Sequence, residues 1–316
     1  YWSRKAATKL MAGEDKHDFF RRFIYHKVNQ KVTIGEALRS MELEQLLPEL
    51  SDWQEIWDVW ERKSGAGRKQ KFIDLRAEDE LTDKNAYLLR RFIEAKWERV
   101  MTHYEEQQVA AEKYYREILY GCKNVAAVDI GWAGSGALSL SHLVNKVWNM
   151  DCEIVGIIAG TNTIHNAEPD ASDPFLQSGK LVSYLYSGAD NRDLFKKHDP
   201  NKDYNVFWEL LLSSPTPSFK GFHNGSWNKG GTEVYLRNLD ITLEFGKYDE
   251  NQDGIREIQR GILDFAEQYT EHFRDFPYMF NISGRDAYAP MLVAASYNER
   301  YLKMVEKRYA FEITVN

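Results

Sequence analysis

Apolar residues recur every three or four positions through most of the first 120 residues, a spacing that predicts helices. Leu10–Tyr25 carries apolar side chains among charges. Thr33 stands just before Ile34-Gly35-Glu36-Ala37-Leu38, with Glu36 three positions on, the spacing of a reciprocal N-terminal cap. Ser51 and Gln54 repeat it. The segment they open, Ser51–Trp60, sets Trp53, Ile56, Trp57 and Trp60 at i, i+3, i+4 and i+7, one face of a helix. Tryptophan buries so much area that this stripe reads as core rather than as a ligand platform. From Thr82 to Tyr120 the same spacing predicts one long helix or two stacked ones, and Gly121 stops it.

At Val125 the texture changes to strand alternating with helix. Val125–Val128 is an apolar run ending in Asp129; Gly131-Trp132-Ala133-Gly134-Ser135-Gly136 is a glycine-rich turn; Leu138, Leu140, Leu143, Val144 and Val147 then keep helical spacing. Glu153–Ala159 reads as the next strand. Strand, helix and strand within about 35 residues form a parallel βαβ unit with a right-handed crossover. Leu181–Tyr186 is a further strand and Tyr204–Leu212 a helix with Phe207, Leu210 and Leu211 inward. Ser213–Phe222 reads as a loop stiffened by two prolines. Gly254–Phe273 and Asp286–Arg308 read as helices, and Ala310–Val315 as strand-like. The fold class is α/β: a Rossmann-like, mostly parallel sheet flanked by helices over residues 121–316, preceded by an all-helical region, 1–120.

The glycine-rich turn is where shape and chemistry coincide. It places unpaired backbone N–H groups at the positive end of a helix, and its glycines let an anion approach the backbone. The spacing G-x-x-G-x-G matches neither the dinucleotide fingerprint nor the Walker A loop, so close packing of helix on sheet is the competing reading. On the ligand reading, Gly131, Gly134, Ser135 and Gly136 hold phosphate. Asp129 takes a sugar hydroxyl, a metal or a proton, which makes it the candidate catalytic base, and Trp132 stacks on a ring. Ligands of parallel sheets sit outside the carboxyl ends of the strands, which adds Thr161 and Asn162 after the second strand. Lys220, near the Ser/Thr/Pro loop, is the candidate cation. No cofactor is specified; Mg2+ is the candidate metal.

Other motifs carry less. Asp249-Glu250-Asn251-Gln252-Asp253-Gly254 imitates a calcium loop, but position 12 is Arg260, where calcium needs a bidentate glutamate, so it reads as an acidic turn. His165, Glu168, Asp170 and Asp173 read as a solvated acidic loop, since no regular spacing fixes a metal geometry. His142 reads as an ordinary helix histidine. Ser64–Lys71 is small and basic, a solvated loop. With 41 basic against 48 acidic residues the net charge is −7, which argues against nucleic acid as partner. No apolar run is long enough to span a bilayer. No secretory leader is evident, and the start at Tyr1 without methionine suggests a fragment. Cys122 and Cys152 each open a strand and read as inert thiols in a reducing cytoplasm.

The run VDIGWAGSG resembles a known family when taken with Tyr1–Lys5, Thr33–Leu38, Ser214–Phe222 and Ile258–Phe265. The chain is similar to the carboxyl-terminal region of large bacterial proteins labelled predicted hydrolases of the haloacid dehalogenase (HAD) superfamily. These are found near surface-polysaccharide genes and sometimes fused to glycosyltransferases. That superfamily uses an Asp-x-Asp motif, and no two aspartates lie at i, i+2 in this chain. The resemblance therefore implies context: a cytoplasmic region accessory to glycan assembly, with a fused or associated hydrolase or glycosyltransferase module as partner. The expected function is binding of a nucleotide-sugar or sugar phosphate, with transfer or hydrolysis as the enzymatic version. Two alternatives stand beside it: a non-catalytic scaffold docking through the tryptophan-rich helices, and a phosphoribosyltransferase-like site, which the lack of a second acid beside Asp129 disfavours.

Overall fold

The computed structural model describes residues 4–28, 30–60, 68–161, 172–199, 204–212, 214, 216–228, 230–247 and 252–297. It divides into two compact units. One holds Lys5–Ala111 with Phe222–Gly225; the other holds Tyr1–Arg4, Glu112–Gly221 and Ser226–Asn316.

The first unit is mainly helical: α1 (Arg4–Leu10), α2 (Lys16–Phe23), α3 (Ile34–Ser40), α4 (Leu47–Leu50), α5 (Ala86–Ala95) and α6 (Trp97–Ile118), which runs on into the second unit. The reciprocal cap forms at α3. Thr33 Oγ1 accepts the Glu36 N–H at 3.2 Å and Glu36 Oε2 accepts the Thr33 N–H at 2.8 Å. The core closes around Phe19, whose ring centroid lies 5.1–5.9 Å from those of Phe23, Trp97 and Tyr104. Tyr104 is buried with its hydroxyl donated to Met41 O at 2.6 Å, which satisfies the one polar atom it brings inside.

One expectation fails in this unit. Ser51–Trp60 is no helix: Gln54–Trp60 is β1, antiparallel to β2 (Arg68–Asp74), in register from Gln54↔Asp74 to Trp60↔Arg68. Ile56, Trp57, Val59 and Trp60 are β-branched or aromatic, so the segment suits a strand as soon as a partner supplies the ladder. Ser51 closes α4 by donating to Pro48 O at 3.1 Å instead of opening a new helix. The basic stretch read as loop therefore ends in strand.

The second unit is α/β. β3 (Asn124–Asp129), β4 (Glu153–Gly160) and β5 (Leu181–Tyr186) form a parallel sheet in that order, with Val128, Ile157 and Val182 in one row. Helix α7 (Ser135–His142), prolonged by a π-helical turn over Leu143–Val147, links β3 to β4, and α8 (Asp173–Gln177) precedes β5. Right-handed crossovers that step the same way along a sheet put their helices on the same face. Ala137 and Leu138 of α7 and Phe175 and Leu176 of α8 accordingly share one cluster with Ala127, Ile158 and Leu181. After β5 come α9 (Arg192–Lys197), α10 (Tyr204–Leu212), then β6 (Phe219–Asn224), which from Phe222 on is grouped with the first unit, β7 (Thr232–Leu236) and β8 (Ile241–Phe245), and finally α11 (Gln252–His272) and α12 (Gly284–Tyr297). The β6-β8-β7 sheet corrects the loop reading of Phe219–Phe222. Asn162, His165, Glu168, Asp170, Asp249-Glu250-Asn251 of the calcium-like loop and the strand-like end lie outside the described residues, and Gln252-Asp253-Gly254 of that loop already belong to α11. No helix among the described residues is long and apolar enough to cross a membrane.

Candidate ligand site at the turn after β3

Asp129 is the last residue of β3, and its carboxylate folds back on the turn: Oδ1 accepts the Gly131 N–H at 2.8 Å. A side chain at 131 would meet that carboxylate, since a Cβ there falls 2.8 Å from Asp129 Oδ2. Gly134 sits at the N-cap of α7 with φ +69°, the left-handed region where L-residues are strained. A Cβ there would also fall 2.7 Å from Leu181 Cδ1. Beyond it the backbone N–H groups of Ser135 and Gly136 belong to the first helical turn and have no intrahelical acceptor. The turn thus packs closely onto the sheet and opens α7 at Ser135.

The neighbours of the turn are aromatic. The Trp132 indole N–H donates to Glu209 Oε1 at 2.8 Å, and its ring lies 6.1 Å from Tyr186 in a stacked arrangement and 4.9 Å from His198. One face of Trp132 is therefore already occupied by the protein. Buried His198 is clamped between the Tyr288 hydroxyl at Nδ1 and Asn205 Oδ1 at Nε2. Asn205 Oδ1 only accepts, so it assigns the hydrogen to Nε2 and leaves Nδ1 to accept from Tyr288. Thr161 is buried just past β4, with its N–H donated to Tyr186 O at 3.2 Å. Ser172 Oγ donates to Ala133 O at 3.0 Å, fastening the start of α8 to the turn. Lys220 lies on β6, in the other sheet, 3.6 Å from Glu244 Oε1.

Asp129, Trp132, Thr161 and the residues of the turn thus gather at the carboxyl end of the parallel sheet, as the βαβ reading expects. Glu209 joins them without any warning from sequence. It is 77 residues from Trp132, and a glutamate on an amphipathic helix gives no sign of which distant group it meets. Glu209 is exposed, yet the groups around it shed part of the water from its carboxyl and raise its pKa; the Trp132 N–H opposes the rise and nearby Asp129 adds to it. A carboxyl whose pKa is higher folded than unfolded binds its proton more tightly in the folded state, so its contribution to stability falls as pH rises above the ordinary value of 4.5. Glu209→Gln is therefore expected to melt progressively higher relative to the wild type between pH 4.5 and 7; thermal unfolding across that range checks it. Among the described residues no three His, Cys, Asp or Glu side chains converge as an all-protein metal site. No protein-family model, curated protein or solved structure matches the chain.

Proposed function

We propose that the chain binds a phosphorylated small molecule at the turn between β3 and α7. The observation that carries this reading is the left-handed Gly134 at the start of α7, immediately beyond a strand that ends in Asp129. Phosphate bound by the amides of Ser135 and Gly136 meets the positive end of the helix, with the Ser135 hydroxyl as a further donor. Asp129 keeps one carboxylate oxygen on the Gly131 N–H and has the other for a sugar hydroxyl or for Mg2+. That ion commonly takes one or two carboxylates together with substrate phosphates, and Asp129 with Glu209 supplies that number. The resemblance to HAD-linked glycan proteins selects nucleotide-sugars and sugar phosphates within the class. Asp129 acting as a base on a phosphorylated sugar is the enzymatic form of the proposal.

The test is a thermal-shift screen of the purified chain against nucleotide-sugars, sugar phosphates, phosphoribosyl pyrophosphate and inorganic phosphate, with and without Mg2+. A ligand at one hundred times its dissociation constant adds about 2.7 kcal/mol of apparent stability. The expected result is a shift with one class that Asp129→Asn weakens at least tenfold in affinity. No shift with any compound overturns the proposal.

A further inference from the structure

The second unit exposes two apolar surfaces of complementary kind. The first is a sheet face. Both crossover helices lie on one side of β3-β4-β5, and α12 packs against β5, where Gly284 meets the backbone of Tyr184 and Leu185; away from the crossover helices Val128 is still 80 % exposed, with Val182 and Tyr184 nearly half exposed. Parallel sheets ordinarily have both faces covered by helices. The second surface is on α11, whose apolar stripe is only partly covered among the described residues. Along α11, Ile255, Ile258, Ile262, Phe265 and Tyr269 alternate three- and four-residue spacings; Ile255 is buried, while Phe265 is 66 % exposed. The segment after it, which includes the 71 % exposed Tyr278, prolongs the surface to Ile282, whose carbonyl accepts the Tyr184 hydroxyl of β5 at 3.2 Å. Helix stripe and sheet face thus run into one another at Tyr184.

The geometry points to a two-fold dimer in which α11 of each copy covers the exposed part of the β3-β4-β5 face of the other, around Val128 and Val182. That part of the sheet face and the exposed part of the α11 stripe are both apolar, and one chain carries both, which is the condition for a reciprocal interface. The charges agree. The positions flanking the stripe, Gln259, Gly261, Ala266 and Gln268, are uncharged, and the acidic and basic residues of α11 lie on the opposite side, so two copies of net charge −7 meet without like charges at the seam. Area agrees too. Between Ile262 and Ile282, leaving out Leu263, which lies off the stripe, seven large apolar side chains are more than a third exposed, together about three and a half whole side chains. At about 150 Å² each that is roughly 500 Å², and the sheet face brings the total near the roughly 800 Å² each partner of a standard interface contributes. A bilayer is a poorer occupant, because α11 carries more acidic than basic residues and anionic headgroups would repel it.

Sedimentation velocity of the full chain from 1 to 100 μM tests this. The expected result is a species of twice 36.9 kDa. Phe265→Asp on the helix and Val128→Asp on the sheet are each expected to raise the dissociation constant at least tenfold while circular dichroism stays unchanged. The pair Phe265→Cys with Val128→Cys, in a Cys122→Ser background, gives a second readout that does not depend on either aspartate variant folding. Oxidation is expected to yield a covalent dimer. A monomer at 100 μM, or a disulfide formed only within single chains, overturns the proposal.

Discussion

Lys9→Met is expected to destabilise the protein by about 3 kcal/mol, the low end of what breaking a buried ion pair costs. Lys9 is 2 % exposed, and its ammonium lies 2.5 Å from Glu42 Oε1, while Gln107 Nε2 donates to the other carboxylate oxygen at 2.6 Å. The low end applies because the Glu42 side chain keeps 30 % exposure and can recover some hydration when abandoned. Burial pushes the Glu42 pKa up, but the charge of Lys9 and the hydrogen bonds from Lys9 and Gln107 outweigh it, so the net shift is down. A carboxylate with a depressed folded pKa contributes stability above its unfolded value of about 4.5, and loses it as pH falls through the lower folded value. Urea unfolding at pH 7 and again at pH 3 is therefore expected to show the Lys9→Met deficit shrinking in acid. The double variant Lys9→Met/Glu42→Leu is expected to recover most of the loss, since removing both charges leaves none buried alone. A deficit equal at both pH values, with no recovery in the double variant, would mean that lost packing of the lysine stem is the cause.

Gly134→Val carries the second large effect, about 2–5 kcal/mol. The left-handed conformation at 134 costs an L-residue about 1–2 kcal/mol, and forcing side-chain atoms against Leu181 adds about 1–3 kcal/mol of overpacking. Gly121→Ala separates the two causes. Gly121 has φ +75° but nothing within 4 Å of its Cβ position, so only the conformational part is expected there, about 1 kcal/mol. If the two variants unfold at the same denaturant concentration, Leu181 is not the obstacle the geometry makes it.

The sequence was legible where a local rule fixes the outcome. The Thr33–Glu36 cap, the strands at 124–129, 153–160 and 181–186, and the left-handed Gly121 that follows α6 all follow from spacing or from glycine's lack of a side chain. Reading failed where a distant partner decides. Ile56–Trp60 satisfies a helical and an extended pattern equally, and only pairing with Arg68–Asp74 chooses between them. The β6-β8-β7 sheet was missed for a related reason: Lys220, Gly221, His223, Glu233 and Glu244 interrupt the apolar runs that mark β3, β4 and β5, so only pairing makes these segments strands. At the site the division is the same. Asp129 and the turn declare themselves within eight residues, whereas Glu209, His198 and Tyr288 reach Trp132 and Tyr186 only through tertiary folding.

The membership of Phe222–Gly225 in the helical unit has a consequence in time. That unit is otherwise complete at Ala111, yet buried Phe222, and Asn224, which donates to Glu106 O at 3.1 Å, arrive about 110 residues later. A ribosome adding about 5–20 residues per second takes roughly 5–20 s to cover that stretch. Helices form and collapse in microseconds, so α1 to α6 have many thousands of their own relaxation times to pack before their last four residues exist. The helical unit must then hold together during synthesis on the residues up to Ala111 and take on Phe222–Gly225 afterwards, as a late addition.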